Sequence, residues 1–217
     1  MQTLTERTYR LAPPGGLFDD SVVRNLFPDA SAGAKKLLVH RALKHGEVLR
    51  LKPGHYCLAP EYRKSDAHPF VIAAVLHSPS HISLESALAY HGLIPEAVYT
   101  VTSVTSLRSR VFDTPLGRFS FQRVPASNPR AGVEAIEVSR GSWAFVATPP
   151  RALADLIYLR KNVRWDSDGL AYLTESMRIE EEDLNEIITE NIEEVLAGIR
   201  NKRVTTYLTE LRNVARR

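Results

Sequence analysis

Apolar and basic side chains recur along residues 31–45 with the spacing of an amphipathic helix. At about 100° per residue, one half of the helical wheel holds the apolar positions Ala34, Leu38, Val39, Ala42 and Leu43. The other half holds Lys36, His40, Arg41 and Lys44, interrupted only by Leu37. Ser31 is a suitable N-cap, and Gly46 is a suitable end because glycine adopts the left-handed conformation that closes many helices. The pattern predicts a helix with one basic face.

Two short apolar runs follow this helix and predict a β-hairpin. Residues 48–51 and 55–58 flank Lys52-Pro53-Gly54, and proline followed by glycine at the centre of a four-residue turn favours type II geometry. Shorter helical patterns precede the basic helix at residues 4–11 and 19–27. A helix, a tight turn, a more basic helix and a hairpin are the elements of a winged helix-turn-helix, which we predict for residues 1–60.

The basic face and the hairpin also predict where duplex DNA would be bound. In a winged helix-turn-helix one helix enters the major groove and the hairpin rests on the phosphates. The residues expected to contact DNA are Lys35, Lys36, His40, Arg41, Lys44, Arg50, Lys52 and His55, the last three at phosphates. An ordinary solvated helix followed by an ordinary hairpin fits the same pattern, because charged outer faces are common on helices.

The pattern after the hairpin changes from helical to β and back to helical. A polar stretch at 59–66 predicts a boundary, and residues 61–217 are expected to form a mixed α/β domain with a helical C-terminal tail. Helices are predicted at 70–76, 83–91 with Ser83 as the cap, 152–159, near 178–198 and at 200–214. Strands are predicted at 98–105, 110–113, 118–124, 133–138 and 143–147. The predicted fold class is therefore α+β.

Composition and charge narrow the function classes. The 217 residues are 44% apolar, enough for a substantial core, and a single cysteine excludes an intramolecular disulfide and agrees with a reducing cytoplasm. No secretory signal pattern and no apolar run of about 20 residues is present, so we expect no membrane association. Basic residues are in excess at 1–60 and 200–217, and acidic residues are in excess at 151–199. This distribution weakly favours a nucleic-acid partner.

Few residues suggest catalysis or a metal site. His77, His81 and His91 lack the close spacings of zinc ligands, and we interpret them as caps or surface residues. Ser83 lacks a Gly-x-Ser-x-Gly elbow, so its position before a helix indicates a cap. We therefore expect no enzymatic activity, no metal and no cofactor. A nuclease with dispersed carboxylates, for example Asp113 and Glu134, stays open as an alternative.

The aromatic and arginine residues of the second half allow two interpretations each. Either a hydrophobic core or a base-stacking surface explains the aromatic residues, and we favour a core for Phe112, Phe119, Phe121, Trp143, Phe145, Tyr158 and Tyr172. Either a solvated rim or a partner contact explains the arginines that flank the predicted hairpin, which are Arg108, Arg110, Arg118 and Arg123.

Four phrases in a fixed order carry a family resemblance. They are HISLESALAYHGL at 81–93, YTVT at 99–102, TPLGRF at 114–119 and ATPPRALADL at 147–156. Together they resemble the C-terminal domain of the AbiEi family of abortive-infection antitoxins, whose members carry an N-terminal winged helix-turn-helix. The resemblance spans residues 15–160, and residues 161–217 match only as a helical tail.

The resemblance implies a function in two parts. AbiEi proteins repress their own operon by binding inverted repeats in its promoter. They also counteract a nucleotidyltransferase-type toxin, AbiEii, without forming a tight complex with it, in what is called a type IV toxin–antitoxin system. If this applies here, residues 61–217 are expected to neutralise the toxin. A stand-alone transcription factor without a toxin partner would have the same sequence features.

The sequence also bears on the oligomeric state. It contains no heptad seam and no long apolar edge that would join two free chains. We therefore expect a monomer in solution, with two copies pairing only on DNA.

Overall fold

The chain is an α+β protein built around two separate hydrophobic clusters. Its structure is a computed structural model that describes residues 3–95, 99–188 and 192–215. The helices are α1 (Leu4–Leu11), α2 (Asp20–Leu26), α3 (Ala32–Lys44), α4 (Pro69–Leu76), α5 (Leu84–Tyr90), α6 (Pro149–Leu159), α7 (Trp165–Asp168), α8 (Leu184–Ile187), α9 (Ile192–Ile199) and α10 (Lys202–Ala215). The strands are β1 (Leu17–Asp19), β2 (Val48–Lys52), β3 (His55–Leu58), β4 (Ser80–Ile82), β5 (Thr100–Thr105), β6 (Arg110–Thr114), β7 (Gly117–Arg123), β8 (Val133–Ser139) and β9 (Ser142–Ala147).

Helices α1 to α3 pack on a three-stranded antiparallel sheet of order β1-β3-β2. Each helix begins at a side-chain cap: Thr3 binds the Glu6 amide, Asp19 binds the Ser21 and Val22 amides, and Ser31 binds the Ala34 amide. These caps confirm the helices predicted from the sequence and the start of α3 at Ser31. Strand β1 was not predicted, because three residues are too few to show an alternating pattern.

The second cluster surrounds a six-stranded mixed sheet of order β6-β7-β5-β4-β9-β8. The predicted hairpin β6–β7 forms one edge, and the two further predicted strands, β8 and β9, pair as a second hairpin at the other edge. Between them, β4 pairs antiparallel to β5 and parallel to β9, and thereby joins the two halves of the sheet. Strand β4 was not predicted either, although the sheet depends on it. Its Ile82 is buried in the core.

Two predictions about polar residues near α5 are wrong. Ser83 does not cap α5, because its hydroxyl donates to Asp155 Oδ2 at 2.8 Å on α6. The Ser86 amide at the start of this helix instead donates to Thr102 Oγ1 on β5 at 3.0 Å. His81 is neither a cap nor a surface residue, because it lies buried on β4 with its Nε2 3.4 Å from Asp155 Oδ2.

The aromatic side chains divide between core and surface. Phe119 and Phe121 are fully buried, as the alternation along β7 predicts. The prediction of a core position is wrong for Trp143 and Phe145, which are 59% and 52% exposed. Both lie on the outer face of β9, where the alternating inner positions Ala144 and Val146 supply the core. Phe112, Tyr158 and Tyr172 are half-buried.

The C-terminal segments agree with the predicted helix at 200–214, which is α10, whereas the acidic stretch predicted as helical near 178–198 contains only short helices. The acidic stretch is divided into a 3₁₀ turn at Glu181–Asp183 and the short helices α8 and α9, which pack on α6. Helix α10 packs against α6 as well and buries Tyr207, whose hydroxyl donates to the Gly169 carbonyl at 2.7 Å. Burial raises the pKa of this phenol, so the hydroxyl stays a hydrogen-bond donor. The tail is therefore part of the second core.

The two clusters meet at the hairpin β2–β3. Leu51 and Cys57 of the hairpin are buried in the second cluster, while Val48 and Leu58 belong to the first. Cys57 is fully buried, as is common for a free cysteine that packs as a small apolar side chain. The division at residues 60 and 61 stays a prediction, and the hairpin links the cores on either side of it. Within the described ranges, we find no helix that is both long and apolar enough to span a membrane.

Candidate nucleic-acid interface

Helix α3 separates its apolar and basic residues onto opposite sides. Val39 and Ala42 are buried against the first cluster, with Leu38 and Leu43 packed beside them. Lys36, His40, Arg41 and Lys44 are exposed on the outer side, as the helical wheel predicts, and Lys35 is half-buried. Leu37 is also exposed. The helix thus presents a row of cationic side chains to solvent.

The hairpin is fixed relative to the helices through its turn. Gly54 has φ +76°, which agrees with the type II turn predicted from Pro53-Gly54. The Gly54 carbonyl accepts a hydrogen bond from the Asp20 amide at 3.0 Å, and the Tyr56 hydroxyl donates to Asp20 Oδ1 at 3.2 Å. Because Asp20 is the first residue of α2, these two bonds hold the hairpin against the helices.

A basic cleft of about 570 Å³ lies between α2, α3 and strands β2 and β3. Its basic lining comes from Arg24, Lys35, Lys36, His40 and Arg50. Four of these five were predicted from the sequence as DNA contacts. Arg24 was not predicted. The sequence did contain a signal for this residue, because Arg24 lies one helical turn after Asp20 on the helix before the basic one.

The other residues predicted to contact DNA lie outside the cleft. Arg41 and Lys44 are exposed on the last turns of α3. His55 Nδ1 lies 3.3 Å from the Pro53 carbonyl in the hairpin turn. Lys52 Nζ donates at 3.0 Å to the carbonyl of Leu76, the last residue of α4. Burial, together with the nearby charge of Arg110, lowers the pKa of Lys52.

The four arginines that flank the predicted hairpin of the second half, which are Arg108, Arg110, Arg118 and Arg123, are all exposed, and the structure places one of them, Arg110, near the hairpin β2–β3. Strand β6 contacts β2, and its Arg110 lies close enough to Lys52 for their charges to interact. Arg118 pairs with Asp113 at 3.6 Å. Arg108 contributes its backbone carbonyl, which lies 3.2 Å from His77 Nε2, and Arg123 ends strand β7. Arg110 therefore extends the basic surface of the hairpin onto the second sheet.

The dispersed carboxylates do not come together in one site. Asp113 lies on β6 and Glu134 on β8, at opposite edges of the six-stranded sheet. Five strand spacings of about 4.8 Å separate these edges, which is too far for two carboxylates to act on one bond. Among the described residues, no group of three or more His, Cys, Asp or Glu side chains could hold a metal ion.

In comparisons with known proteins, the chain matches no protein-family model and no curated protein.

Proposed function

We propose that residues 1–60 are a winged helix-turn-helix that binds duplex DNA, and that the protein is a transcriptional regulator of its own operon. The observation that carries this proposal is the exposed cationic face of α3 beside a cleft lined by further cations from α2 and β2. The sheet order β1-β3-β2 and the hairpin held against α2 support it.

The arrangement suggests how DNA is bound. Helix α3 enters the major groove, where Lys36, His40, Arg41 and Lys44 face base edges and flanking phosphates. Arg24 and Arg50 lie across the cleft from α3 and contact a phosphate backbone there. Arg110 and the hairpin residue His55 contact the next phosphates along the strand, whereas Lys52, whose ammonium donates to the Leu76 carbonyl, must leave that bond to do so. Two copies on an inverted repeat would lie about 34–36 Å apart or a multiple of that distance.

The antitoxin role is a second part of the proposal and rests on the AbiEi resemblance. We propose that the protein acts in the cytoplasm and counteracts a nucleotidyltransferase-type toxin without a tight complex, as the resemblance implies. A stand-alone transcription factor is the alternative, because the DNA-binding features do not require a toxin. A nucleic-acid-processing enzyme is a weaker alternative, since Asp113 and Glu134 lie at opposite sheet edges.

Gel shifts with the DNA upstream of this gene test the first part. Removing one phosphate-binding side chain should lower the slope of log K against log salt by about 0.9. The double variant Lys36→Ala/Lys44→Ala should therefore bind more weakly and with a smaller slope than the natural chain. Arg140→Ala is the matched control, because Arg140 is exposed in the β8–β9 turn at the sheet edge away from the hairpin. Unchanged affinity and slope in the double variant would exclude α3 as the DNA-binding helix.

The same double variant also tests the second part in the full-length protein. The full chain is needed because Leu51 and Cys57 of the hairpin pack in the second cluster, so a cut after residue 60 would remove core residues. The variant is co-expressed with the neighbouring toxin from a promoter that the protein does not control. If cells with the double variant survive as well as cells with the natural chain, the protein neutralises the toxin without binding DNA. If the natural chain does not protect cells when the toxin is expressed from this promoter, the antitoxin role is excluded, and the alternative of a stand-alone transcription factor is favoured.

A further inference from the structure

A second cavity, of about 490 Å³, lies on the six-stranded sheet far along the chain from α3. Its lining includes His81 of β4, Val104 of β5 and Phe145 of β9. Asn128 and Arg130 of the loop between β7 and β8 also line it, as does Arg151 of α6. None of these residues belongs to the basic cleft beside α3, so the cavity is a separate candidate binding site.

Arg151 is the unusual residue of this cavity. It is only 1% exposed, and its Nε lies 3.0 Å from both carboxylate oxygens of Asp155. Its Nη1 donates to the Ala131 carbonyl at 2.7 Å and lies 3.4 Å from the Pro129 carbonyl. These bonds hold the guanidinium in one orientation. Among the described residues they involve only Nε and Nη1, and the same side chain also lines the cavity.

The charge of the lining favours an anion. Arg130 and Arg151 both line the cavity, and no acidic side chain does so within the described part of the chain. Asp155 is fully buried and pairs with Arg151, so Arg151 contributes N–H donors in a fixed orientation, while Arg130 supplies the net positive charge of the lining. Ser80 and Asn128 add hydrogen-bonding side chains to the lining. Fixed donors in a partly enclosed site bind oxyanions more strongly than the same groups in water.

The rest of the lining is apolar. Val104 and Val124 are buried beneath the cavity, and Phe145 stands beside it with 52% of its surface exposed. An aromatic ring left exposed next to fixed cationic donors suits a ligand with both an apolar body and an anionic group. An inorganic anion would contact the arginines but not the apolar part of such a site.

We propose that this cavity binds a small organic anion whose carboxylate or phosphate oxygens accept hydrogen bonds from Arg151 and Arg130 and whose apolar part packs on Phe145. The site lies in the half of the chain that is outside the proposed DNA-binding module. Ligand binding at this cavity and DNA binding at α3 are therefore measured at different residues, and the two proposals can fail separately.

Amide chemical-shift titrations on the full-length protein test the proposal, with four probes of graded chemistry. Phenyl phosphate and benzoate carry a ring and an anionic group, benzyl alcohol is a neutral analogue, and inorganic phosphate has no ring. We expect the amide signals of Ser80, Ser106 and Asn128 to shift with phenyl phosphate or benzoate. The compound that binds more tightly shows whether the site prefers a phosphate or a carboxylate. Equal shifts with benzyl alcohol, or none with either aromatic anion, would overturn the proposal.

Variants at the rim avoid disturbing the buried ion pair. Arg130→Ala removes an exposed side chain and should weaken binding of the better aromatic anion about tenfold, as expected for loss of one charge-assisted hydrogen bond. Phe145→Ala should weaken binding of the aromatic anion and leave binding of inorganic phosphate unchanged. Arg140→Ala, an exposed arginine that does not line the cavity, is the matched control. An equal loss in Arg130→Ala and Arg140→Ala would mean that anions bind only through the general surface charge.

Discussion

Replacement of Asp155 by asparagine would test how the second core is held together. The carboxylate of Asp155 is fully buried and binds Arg151 through both oxygens, Ser83 through its hydroxyl and His81 through Nε2. These partners come from β4, the segment before α5, and α6. Asp155→Asn keeps the shape of the side chain but removes its charge and turns one acceptor into a donor. The guanidinium of Arg151 would then be buried without a counter-charge.

The structure sets the expected size of the effect. Because Arg151 is 1% exposed and Asp155 is 0% exposed, water solvates the charge that remains only poorly. Breaking a buried ion pair from one side costs about 3–5 kcal/mol of the free energy of unfolding. Domains are stable by only about 5–15 kcal/mol, so this loss is a large fraction of the total. We expect the variant to fold at 25 °C and to unfold at much lower urea concentration.

Urea unfolding followed by tryptophan fluorescence is the appropriate measurement. Trp165 packs against Tyr207 of α10, with ring centroids 5.3 Å apart, so its emission reports on the second core. Glu85→Gln is the matched control, because Glu85 pairs with Arg160 at 2.7 Å near the surface, with side chains 30% and 48% exposed. Such a surface pair contributes about 0–1 kcal/mol. If both amide variants are destabilised by the same small amount, the buried pair does not stabilise the core as we infer.

The pH dependence provides an independent check. Burial by itself would raise the pKa of Asp155, but the charge of Arg151 and the hydrogen bonds from His81 and Ser83 outweigh it and hold the pKa below its ordinary value. The contribution of the carboxylate is therefore complete above its unfolded-state pKa of about 3.9 and is lost as the pH falls through the lower folded-state value. The difference between the natural chain and Asp155→Asn should be constant near neutral pH and shrink in acid. A difference that grows in acid would refute the argument.

Three further predictions concern packing, capping and assembly. Gly132→Ala should destabilise by about 1–3 kcal/mol because its new Cβ would lie 2.5 Å from Val195 Cγ2, whereas Gly141→Ala, at a similar positive φ with open space around it, should cost less in the same urea assay. Asp19→Ala removes the α2 cap and should cost about 0.5–2 kcal/mol at pH 7 by circular dichroism. The Ser21 hydroxyl and the Val22 and Ser21 amides lower the pKa of Asp19 against the effect of burial, so this cost should decline below about pH 4, and a constant cost would contradict the cap. Sedimentation at micromolar concentration without DNA should show a monomer, and a stable dimer would overturn that expectation.

Local signals in the sequence were sufficient for most elements. The boundaries of α3 follow from Ser31 and the spacing of its apolar residues, and the hairpin follows from Pro53-Gly54. Phe119 and Phe121 could be assigned to the core because alternation along a strand is itself a local pattern. Each of these features depends on residues within one or two turns of each other. The exposed cations of α3 could be predicted for the same reason, since the buried face of a helix determines its exposed face.

Only the tertiary structure decided how distant segments combine. Ser83 and His81 bind an aspartate 72 and 74 residues away, and no periodicity links positions so far apart. The three-residue strands β1 and β4 exist because neighbouring strands supply their hydrogen bonds, and the exposure of Trp143 and Phe145 depends on which distant segments pack on β9. Arg24 enters the basic cleft, and Lys52 turns to the end of α4, through the packing of whole helices. The sequence determines which residues are apolar, charged or able to turn, while the contacts that give a polar side chain its role depend on the three-dimensional arrangement of segments that are remote along the chain.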